Sequence, residues 1–170
     1  FLGALLPNPS ARYAKSNVAA IARAAGPNLQ AGDLVVLTQT EQLGALSYYL
    51  PHGLRYVTPL GAVADPGHVD WRDIVHRLSV ADPCATVAPA LAALPIGARV
   101  LEVNPLIPVG ASGSAWSRSA HHQVAAIDEL VGGDRALTPI RLYTDHTHPK
   151  PFSAVTGELF VKVAAEQACP

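Results

Sequence analysis

Three polar residues that could bind a ligand follow directly after a short apolar segment. Leu34 to Leu37 (LVVL) comes after a turn at Gly32-Asp33, and a short apolar run of this kind predicts a strand buried on both faces. Thr38, Gln39 and Glu41 come next. Ligands of α/β sheets lie at the carboxyl ends of the strands, so we expect these three side chains to line a ligand site.

The same residues also match a signal for the start of a helix. Thr38 to Glu41 has the pattern Thr-x-x-Glu of a capping box, in which the Thr and Glu side chains accept hydrogen bonds from free backbone amides. Leu43, Leu46 and Leu50 follow at helical spacing, and Pro51 ends the helix. The segment therefore predicts a strand, a tight turn and a helix, and a helix cap is the structural alternative to a ligand site.

A second polar segment lies farther along the chain. Arg99 to Val103 (RVLEV) predicts a strand that ends at Asn104, and a loop then leads to Ser114, the predicted N-cap of the strongest helix. The turn Gly110 to Ser114 (GASGS) could hold an anion through its backbone amides, or it could be an ordinary flexible loop. The complete predicted ligand site consists of Thr38, Gln39, Glu41, Asn104, Ser112, Gly113 and Ser114.

Familiar cofactor and catalytic motifs are missing from the sequence. The turn after Leu37 contains no glycine, whereas close approach to a pyrophosphate needs Gly-x-Gly-x-x-Gly, and there is no Walker-type phosphate loop. Gly110 to Gly113 lacks the Gly-x-Ser-x-Gly spacing of a hydrolase nucleophile. We therefore expect no cofactor and assign no catalytic residue.

A metal site is conceivable in one loop of the sequence. His146 and His148, next to Asp145, could share an ion because alternate residues of an extended loop point the same way. No third ligand is identifiable, so we favour a solvated loop and expect no metal.

Residues near Trp71 also have two interpretations. Asp65, Asp70, Asp73 and Arg72 cluster there, and a carboxylate pair among them could do acid–base chemistry, but helix capping accounts for Asp70 and Asp73. Four aromatic residues could form a surface on which sugars stack, or they could lie at the edges of the core. They are Tyr48, Tyr49, Tyr56 and Trp71.

Helical segments alternate with short buried strands along the chain. This pattern predicts an α/β protein with a mostly parallel sheet, as in the Rossmann-like or flavodoxin-like three-layer sandwich. The last strand, Leu159 to Val163, follows no helix and is a candidate for an antiparallel edge strand. We expect residues 1–170 to form a single domain, because this length can bury a proper core.

The composition excludes some functions. The net charge is −1 and no basic cluster occurs, which argues against nucleic acid as a partner. Hydrophobic residues make up 49% of the chain, but no apolar run is long enough to cross a bilayer. The chain contains no Met and begins FLGALLPNP, so residues 1–9 could be the end of a membrane helix or a packed arm.

The two cysteines, Cys84 and Cys169, match no zinc or redox spacing. They could pair in an oxidising compartment, or they could be two unpaired thiols. The residues themselves leave both alternatives open.

Several segments resemble the soluble C-terminal region of actinobacterial membrane glycosyltransferases of the C-type superfamily, which includes protein O-mannosyltransferases and aminoarabinose transferases. The resemblance covers roughly residues 12–145. The segments are YAKSNVAAIA (Tyr13 to Ala22), GDLVVLTQTEQLGALSYYLP with GLRYVTPLG (Gly32 to Gly61), DWRD (Asp70 to Asp73) and GARVLEVNP (Gly97 to Pro105).

This resemblance implies an extracytoplasmic accessory domain that positions a glycan or an acceptor. In such enzymes a membrane domain of the same polypeptide carries the catalytic acidic residue and transfers a hexosyl or mannosyl group from a polyprenyl-phosphate donor. No catalytic residue of that family corresponds to a position in this chain. The implied location, on the outer face of the cell membrane, is oxidising and favours a Cys84–Cys169 disulfide.

Two other functions remain as alternatives. The chain could be a free-standing α/β enzyme, such as a nucleotide-sugar transferase or a hydrolase, although it lacks a phosphate-binding glycine turn. It could also be a structural module for assembly that binds no ligand.

Overall fold

Short segments rich in Val and Leu form the central strands, and amphipathic segments form the helices. The computed structural model describes residues 16–106, 113–145, 154–165 and 169. The helices are α1 (Val18–Ala25), α2 (Leu43–Tyr49), α3 (Ile74–Val80), α4 (Pro83–Thr86), α5 (Ala88–Ala92) and α6 (Ala115–Gly133). The strands are β1 (Leu34–Leu37), β2 (Arg55–Thr58), β3 (Gly61–Val63), β4 (Arg99–Pro105), β5 (Leu137–Tyr143) and β6 (Val155–Lys162).

The strands form one open, six-stranded sheet in the order β3-β2-β1-β4-β6-β5. β1 lies at the centre of a parallel unit, between β2 and β4. β3 and β6 run antiparallel to their neighbours, so β5 points in the same direction as β4. The predicted α/β class with a mostly parallel sheet is therefore confirmed.

The central strand is buried on both sides. Val35 and Leu37 pack with α1 and α2 in one apolar cluster, whereas Leu34 and Val36 pack with α5 and α6 in another. This alternation follows from the two-residue period of a strand. We call the two sides of the sheet the α1 face and the α6 face.

The position of β6 corrects the prediction of a C-terminal edge strand. β6 is antiparallel, as expected, but it lies inside the sheet between β4 and β5. β5 occupies the edge, and Pro139 lies within it at a shift of register. Because proline has no N–H to donate to a neighbouring strand, an edge position suits β5 better than an interior one.

Contacts with α1 hold β6 in its interior position. The side-chain amide of Asn17 donates to the carbonyl of Val155 at 2.8 Å and accepts from its N–H at 2.7 Å. Gly157 allows α1 to approach closely, since a Cβ there would lie 2.9 Å from Cγ2 of Ile21. The start of β6 is thus tied to the start of α1.

Two predicted helix caps are not formed, and a third is confirmed. Residues Thr40–Gln42 form a 3-10 turn without a side-chain cap, and the Thr38 hydroxyl donates instead to the Val103 carbonyl at 3.2 Å. α3 begins only at Ile74, so Asp70 does not cap it. The hydroxyl of Ser114 does accept a hydrogen bond from the N–H of Ser117 at the start of α6.

Cys84 and Cys169 form a disulfide bond, with their Cα atoms 5.8 Å apart. The bond joins α4 to the segment after β6, across 85 residues of sequence. Among the described residues, no helix has both the length and the apolar character needed to span a membrane. Residues 1–9, interpreted above as a membrane-helix end or an arm, lie outside the described part.

The disulfide should contribute strongly to stability, because it restricts the unfolded chain. Closing a loop of 85 residues corresponds to about 4–5 kcal/mol in the chain-entropy model. We expect Cys84→Ser to lower the free energy of unfolding by roughly this amount in urea denaturation under oxidising conditions. Adding a reductant to the wild-type protein should produce the same loss and leave the variant unaffected. Equal urea midpoints for the two oxidised proteins would contradict the expectation.

Candidate functional site

Part of the predicted ligand site does come together at the carboxyl ends of β1 and β4. The N–H and hydroxyl of Thr38 both donate to the carbonyl of Val103, at 3.3 and 3.2 Å, which places Thr38 beside Asn104. On the other side of Asn104, β6 places Thr156 directly opposite, with its hydroxyl 3.5 Å from the Asn104 carbonyl. Strand alternation puts these three side chains on the α6 face, where they form a polar row.

A group of carboxylates that the sequence did not predict lies next to this row. Glu102 on β4 is opposite Glu158 on β6, two residues before Asn104 and therefore on the same face. Asp128 of α6 completes the group, because the side-chain amide of Asn104 donates to its carboxylate at 3.2 Å. We call Glu102, Asp128 and Glu158 the acidic cluster.

Glu102 is the buried member of the acidic cluster, with only 1% of its surface exposed. Burial is the main cause that raises its pKa to about 8; a hydrogen bond with Asn104 opposes this shift, and the neighbouring charges of Asp128 and Glu158 contribute to it. In the described part of the chain, no ion pair involves any carboxylate of the cluster. Glu102 is therefore mainly neutral at pH 7.

Two buried oxygen atoms at this point support a protonated Glu102. Oε1 of Glu102 and Oδ1 of Asn104 both lack a hydrogen-bond partner. An amide oxygen and an ionised carboxylate are both acceptors only, whereas a protonated carboxyl group can donate. Leaving a buried acceptor without a donor is costly, and the cost is smaller for a neutral carboxyl group than for a carboxylate.

The sequence contained a signal for Glu102. It is the single charged residue inside RVLEV after the opening arginine, a segment predicted to form a buried strand. A carboxylate at such a position must be neutral, paired or functional, because burying an isolated charge is costly. Asp128 and Glu158 give no comparable signal, since each is partly or fully solvent-accessible on its element.

The other residues predicted after β1 lead away from the acidic cluster. Gln39 and Glu41 belong to the turn that enters α2, which packs on the α1 face. Although Glu41 is exposed, nearby atoms limit the hydration of its carboxylate and raise its pKa, and a hydrogen bond to its own backbone opposes this shift. The hydroxyl of Thr40 is buried without a partner at the same turn.

The predicted serine turn is distant from Asn104. Ser114 lies fourteen residues before Asp128 on α6, or about 21 Å along a helix that rises 1.5 Å per residue. Arg118 donates to the carbonyl of Gly113 at 3.2 Å, and Ser114 caps the first turn, so this end of α6 is satisfied locally. Ser112 lies outside the described residues. The structure therefore does not bring Gly113 and Ser114 together with Asn104.

An aromatic pair lies beside the start of α6. The rings of Trp71 and Trp116 have centroids 6.5 Å apart with a 46° angle between their planes, and Trp71 is 51% exposed. The segment before Trp71 passes α2, because a Cβ on Gly44 would lie 3.9 Å from the carbonyl oxygen of Pro66. This segment thus runs from α2 on the α1 face to the first turn of α6.

Charged residues flank the exposed tryptophan. Arg72 donates from Nε and Nη2 to the two carboxylate oxygens of Asp70, both at 2.9 Å. These hydrogen bonds hold the pKa of Asp70 well below its usual range. Arg77 also contacts Asp70, at 3.5 Å, so one carboxylate is shared by two guanidinium groups.

The remaining site predictions are placed as follows. Tyr48 and Tyr49 are exposed on α2, whereas Tyr56 is buried in the core and cannot contribute to a sugar-stacking surface. His146 and His148 lie outside the described residues, so the metal interpretation of that loop stays a prediction. Within the described ranges, no group of three or more His, Cys, Asp or Glu side chains could hold a metal ion.

A surface depression of about 480 Å³ lies at the opposite, amino edge of the sheet. Asp33 lies in its wall, but the two oxygens of that carboxylate accept from the N–H groups of Gln30 and Arg99, each at 2.8 Å. The carboxylate of this depression thus has a structural task, although Arg55 also lines it, and the polar side chains described above remain the better candidate site.

Comparisons with known proteins add no family assignment. No protein-family model, no curated protein and no solved structure matches this chain. The function is therefore argued from the site.

The buried Glu102 should make stability fall as the pH rises. Its folded-state pKa of about 8 lies above the ordinary value of 4.5, so the folded protein binds more protons than the unfolded chain between these pH values. The stabilisation is complete below pH 4.5 and is lost as the pH passes 8. We expect ionisation of this group to lower the free energy of unfolding of the wild-type protein by roughly 3–5 kcal/mol. Glu102→Gln, which lacks the group, should show no such loss.

Wild-type protein and Glu102→Gln should be compared by urea denaturation at several pH values between 4.5 and 9. Glu129→Gln, which removes an exposed carboxylate from the same helix as Asp128, is the control and should behave as the wild type. Parallel stability curves for wild type and Glu102→Gln would show that Glu102 is ionised in the folded protein.

Proposed function

We propose that this chain is an extracytoplasmic accessory domain of a membrane glycosyltransferase and binds a glycan or a sugar-bearing acceptor. Its partner is the membrane-embedded catalytic domain of the same polypeptide, which uses a polyprenyl-phosphate sugar donor. The disulfide between Cys84 and Cys169 supports an oxidising location. The segments that resemble such transferases support the link to sugar transfer.

The observation that carries the proposal is the aromatic pair, of which Trp71 is exposed and Trp116 half-buried. Trp71 and Trp116 are the two tryptophans of the chain, and they meet beside the first turn of α6. The face of an indole ring provides a flat apolar surface, which suits the C–H face of a pyranose. Arg72, whose guanidinium is largely exposed beside Trp71, offers N–H donors for sugar hydroxyl groups.

A Rossmann-like arrangement of layers is part of the proposal. It is supported by the helices on both faces of the sheet and by the parallel β2-β1-β4 unit. In sheets of this kind ligands lie beyond the carboxyl ends of the strands. The polar row lies at that edge.

The acidic cluster favours a second candidate, a free-standing α/β hydrolase or transferase. A carboxyl group that remains protonated at pH 7 can act as a general acid, and Glu102 has this property. Because the Glu102 side chain is buried away from solvent, the binding function is favoured over the enzymatic one. Turnover by the isolated chain that disappears in Glu102→Gln would favour the enzyme.

Binding can be measured through tryptophan fluorescence, because both reporters lie in the proposed site. We expect α-mannotriose or cellotriose to produce a saturable change in emission of the wild-type chain. Trp71→Ala should weaken binding at least tenfold, with Trp116 still present as the reporter. Tyr48→Ala removes an aromatic residue that is 80% exposed on α2 and should leave binding unchanged.

The titration separates the candidate functions. Equal losses in Trp71→Ala and Tyr48→Ala would count against a specific aromatic site. No response to either saccharide would overturn glycan binding and favour a module for assembly.

The predicted residues after β1 need a test in the longer protein. If Gln39 and Glu41 position the acceptor, then Gln39→Ala and Glu41→Ala should reduce sugar transfer by the full-length transferase while the domain stays folded. Unchanged transfer would assign both residues to the turn that enters α2.

A further inference from the structure

We propose that Arg77 of α3 is a positioning residue, which fixes the turn around the exposed Trp71 so that its indole ring is held in place for a sugar. The ligand part of this inference rests on the glycan site proposed above. The fixing of the turn can be measured without any ligand.

The guanidinium of Arg77 holds the backbone on both sides of Trp71. Its Nη1 donates to the carbonyl of Asp70, the residue before Trp71, at 3.1 Å. The same nitrogen donates to the carbonyl of Arg72, the residue after Trp71, at 3.4 Å. A donor shared by both neighbouring carbonyls restricts how the backbone of Trp71 can rotate.

Two backbone hydrogen bonds complete the attachment of this turn to α3. The N–H of Ile74 donates to the Trp71 carbonyl at 3.4 Å, and the N–H of Arg77 donates to the Asp73 carbonyl at 2.9 Å. Four consecutive carbonyls, from residue 70 to residue 73, thus accept from Ile74 or Arg77. Three of these four bonds come from Arg77, so this residue supplies most of the attachment.

The turn needs this support because one of its residues has an unfavourable backbone conformation. Asp73 has a φ of 48°, in the left-handed region that residues with a Cβ rarely adopt. Among the described residues, no other non-glycine residue has a positive φ. Such a conformation persists only where the surrounding contacts fix it, and here the contacts of the turn come from α3.

A shared carboxylate connects Arg77 to the second group proposed to contact the sugar. Asp70 accepts from Nε and Nη2 of Arg72, both at 2.9 Å, and Nη1 of Arg77 lies 3.5 Å from the same carboxylate. Because a guanidinium is planar, the two bonds fix the orientation of Arg72 and leave its Nη1 for an acceptor on the ligand. Arg77 thus acts on both the indole of Trp71 and the guanidinium of Arg72.

α3 is itself anchored to the helix that carries the second tryptophan. The side-chain amide of Gln123 in α6 donates to two carbonyls at the carboxyl end of α3, at 2.8 and 3.0 Å. Gln123 follows Trp116 by seven residues, or about two helical turns, so both lie on the same face of α6. The position of Trp71 relative to Trp116 therefore depends on the ring contact and on Arg77.

The contacts of Arg77 are separate from the apolar core. Its side chain is 39% exposed, and its hydrogen bonds go to the Trp71 turn and not to the sheet. α3 itself is anchored in the protein by the buried Leu78. Removing the guanidinium should therefore loosen the turn and leave α3 folded.

The inference can be tested first by ¹⁵N relaxation NMR on the intact chain without ligand. In wild type we expect the backbone amide and the indole N–H of Trp71 to have order parameters of about 0.85, as in a rigid backbone. Arg77→Met keeps an unbranched side chain without the guanidinium and should lower both values to about 0.6 or less. Arg77→Lys should lower them as well, because its ammonium group retains the charge but ends one atom short of Nη1.

A matched control makes the same change elsewhere. Arg23→Met removes an exposed arginine of α1, whose guanidinium lies over the ring of Tyr49, and should leave Trp71 as rigid as in wild type. Equal order parameters of Trp71 in wild type, Arg77→Met and Arg77→Lys would overturn the positioning role. Loss of order along the whole of α3 in both variants would also overturn it, because Arg77 would then maintain the helix.

A second measurement separates this inference from the proposed glycan function. With α-mannotriose and cellotriose as probes, Arg77→Met should weaken binding roughly two- to tenfold, because the saccharide must then order the turn. In the saturated variant the order parameters of Trp71 should return to the wild-type values, which a merely structural role would not produce. Equal affinities of wild type and Arg77→Met would overturn the positioning role. If wild type binds neither saccharide, glycan binding is overturned, and the ligand-free order parameters still decide whether Arg77 fixes the turn.

Discussion

The parallel pairing of β1 with β4 is the interaction on which the rest of the structure depends, and a polar residue secures each end of it. At the amino end, the buried carboxylate of Asp33 accepts from the N–H of Arg99. At the carboxyl end, Thr38 donates twice to the carbonyl of Val103. Buried polar groups are stable only when they are hydrogen-bonded, so these two residues define how the strands align.

This alignment also determines where the chemistry can lie. At the amino edge, both oxygens of Asp33 accept from backbone amides, and Oδ2 of Asp134 is the buried oxygen that lacks a partner among the described residues. The carboxyl edge keeps polar atoms that are not fully used, at Thr40, Glu102 and Asn104. Unsatisfied buried groups lower stability, and in natural proteins they frequently mark sites where function opposes stability. The asymmetry between the two edges is the physical reason for placing a site at the carboxyl edge.

α6 connects this edge to the aromatic pair. Its second half packs on the sheet through Ile127 and Val131, and its first half extends to α3 and Trp71. A change in how Asp128 meets Asn104 therefore acts on the same rigid helix that carries Trp116.

The sequence by itself determined the features that depend on neighbouring residues. The apolar runs around Val35 and Val100 predicted β1 and β4, and Ser114 predicted the start of α6, because a short buried strand and a helix cap are local patterns. The alternation of helices and strands was sufficient for the α/β class with a mostly parallel sheet.

Only the tertiary structure decided which distant partner each polar group meets. Thr38 was expected to cap a helix, but its hydroxyl group donates to the carbonyl of Val103 on the neighbouring strand. β6 was expected at the edge, but its contacts with Asn17 and the proline in β5 placed it inside the sheet. Glu102 became a neutral acid because the folded protein buries it and because Asp128 of α6 and Glu158 of β6 lie near it, and neither the burial nor the strand register is encoded in a single local segment.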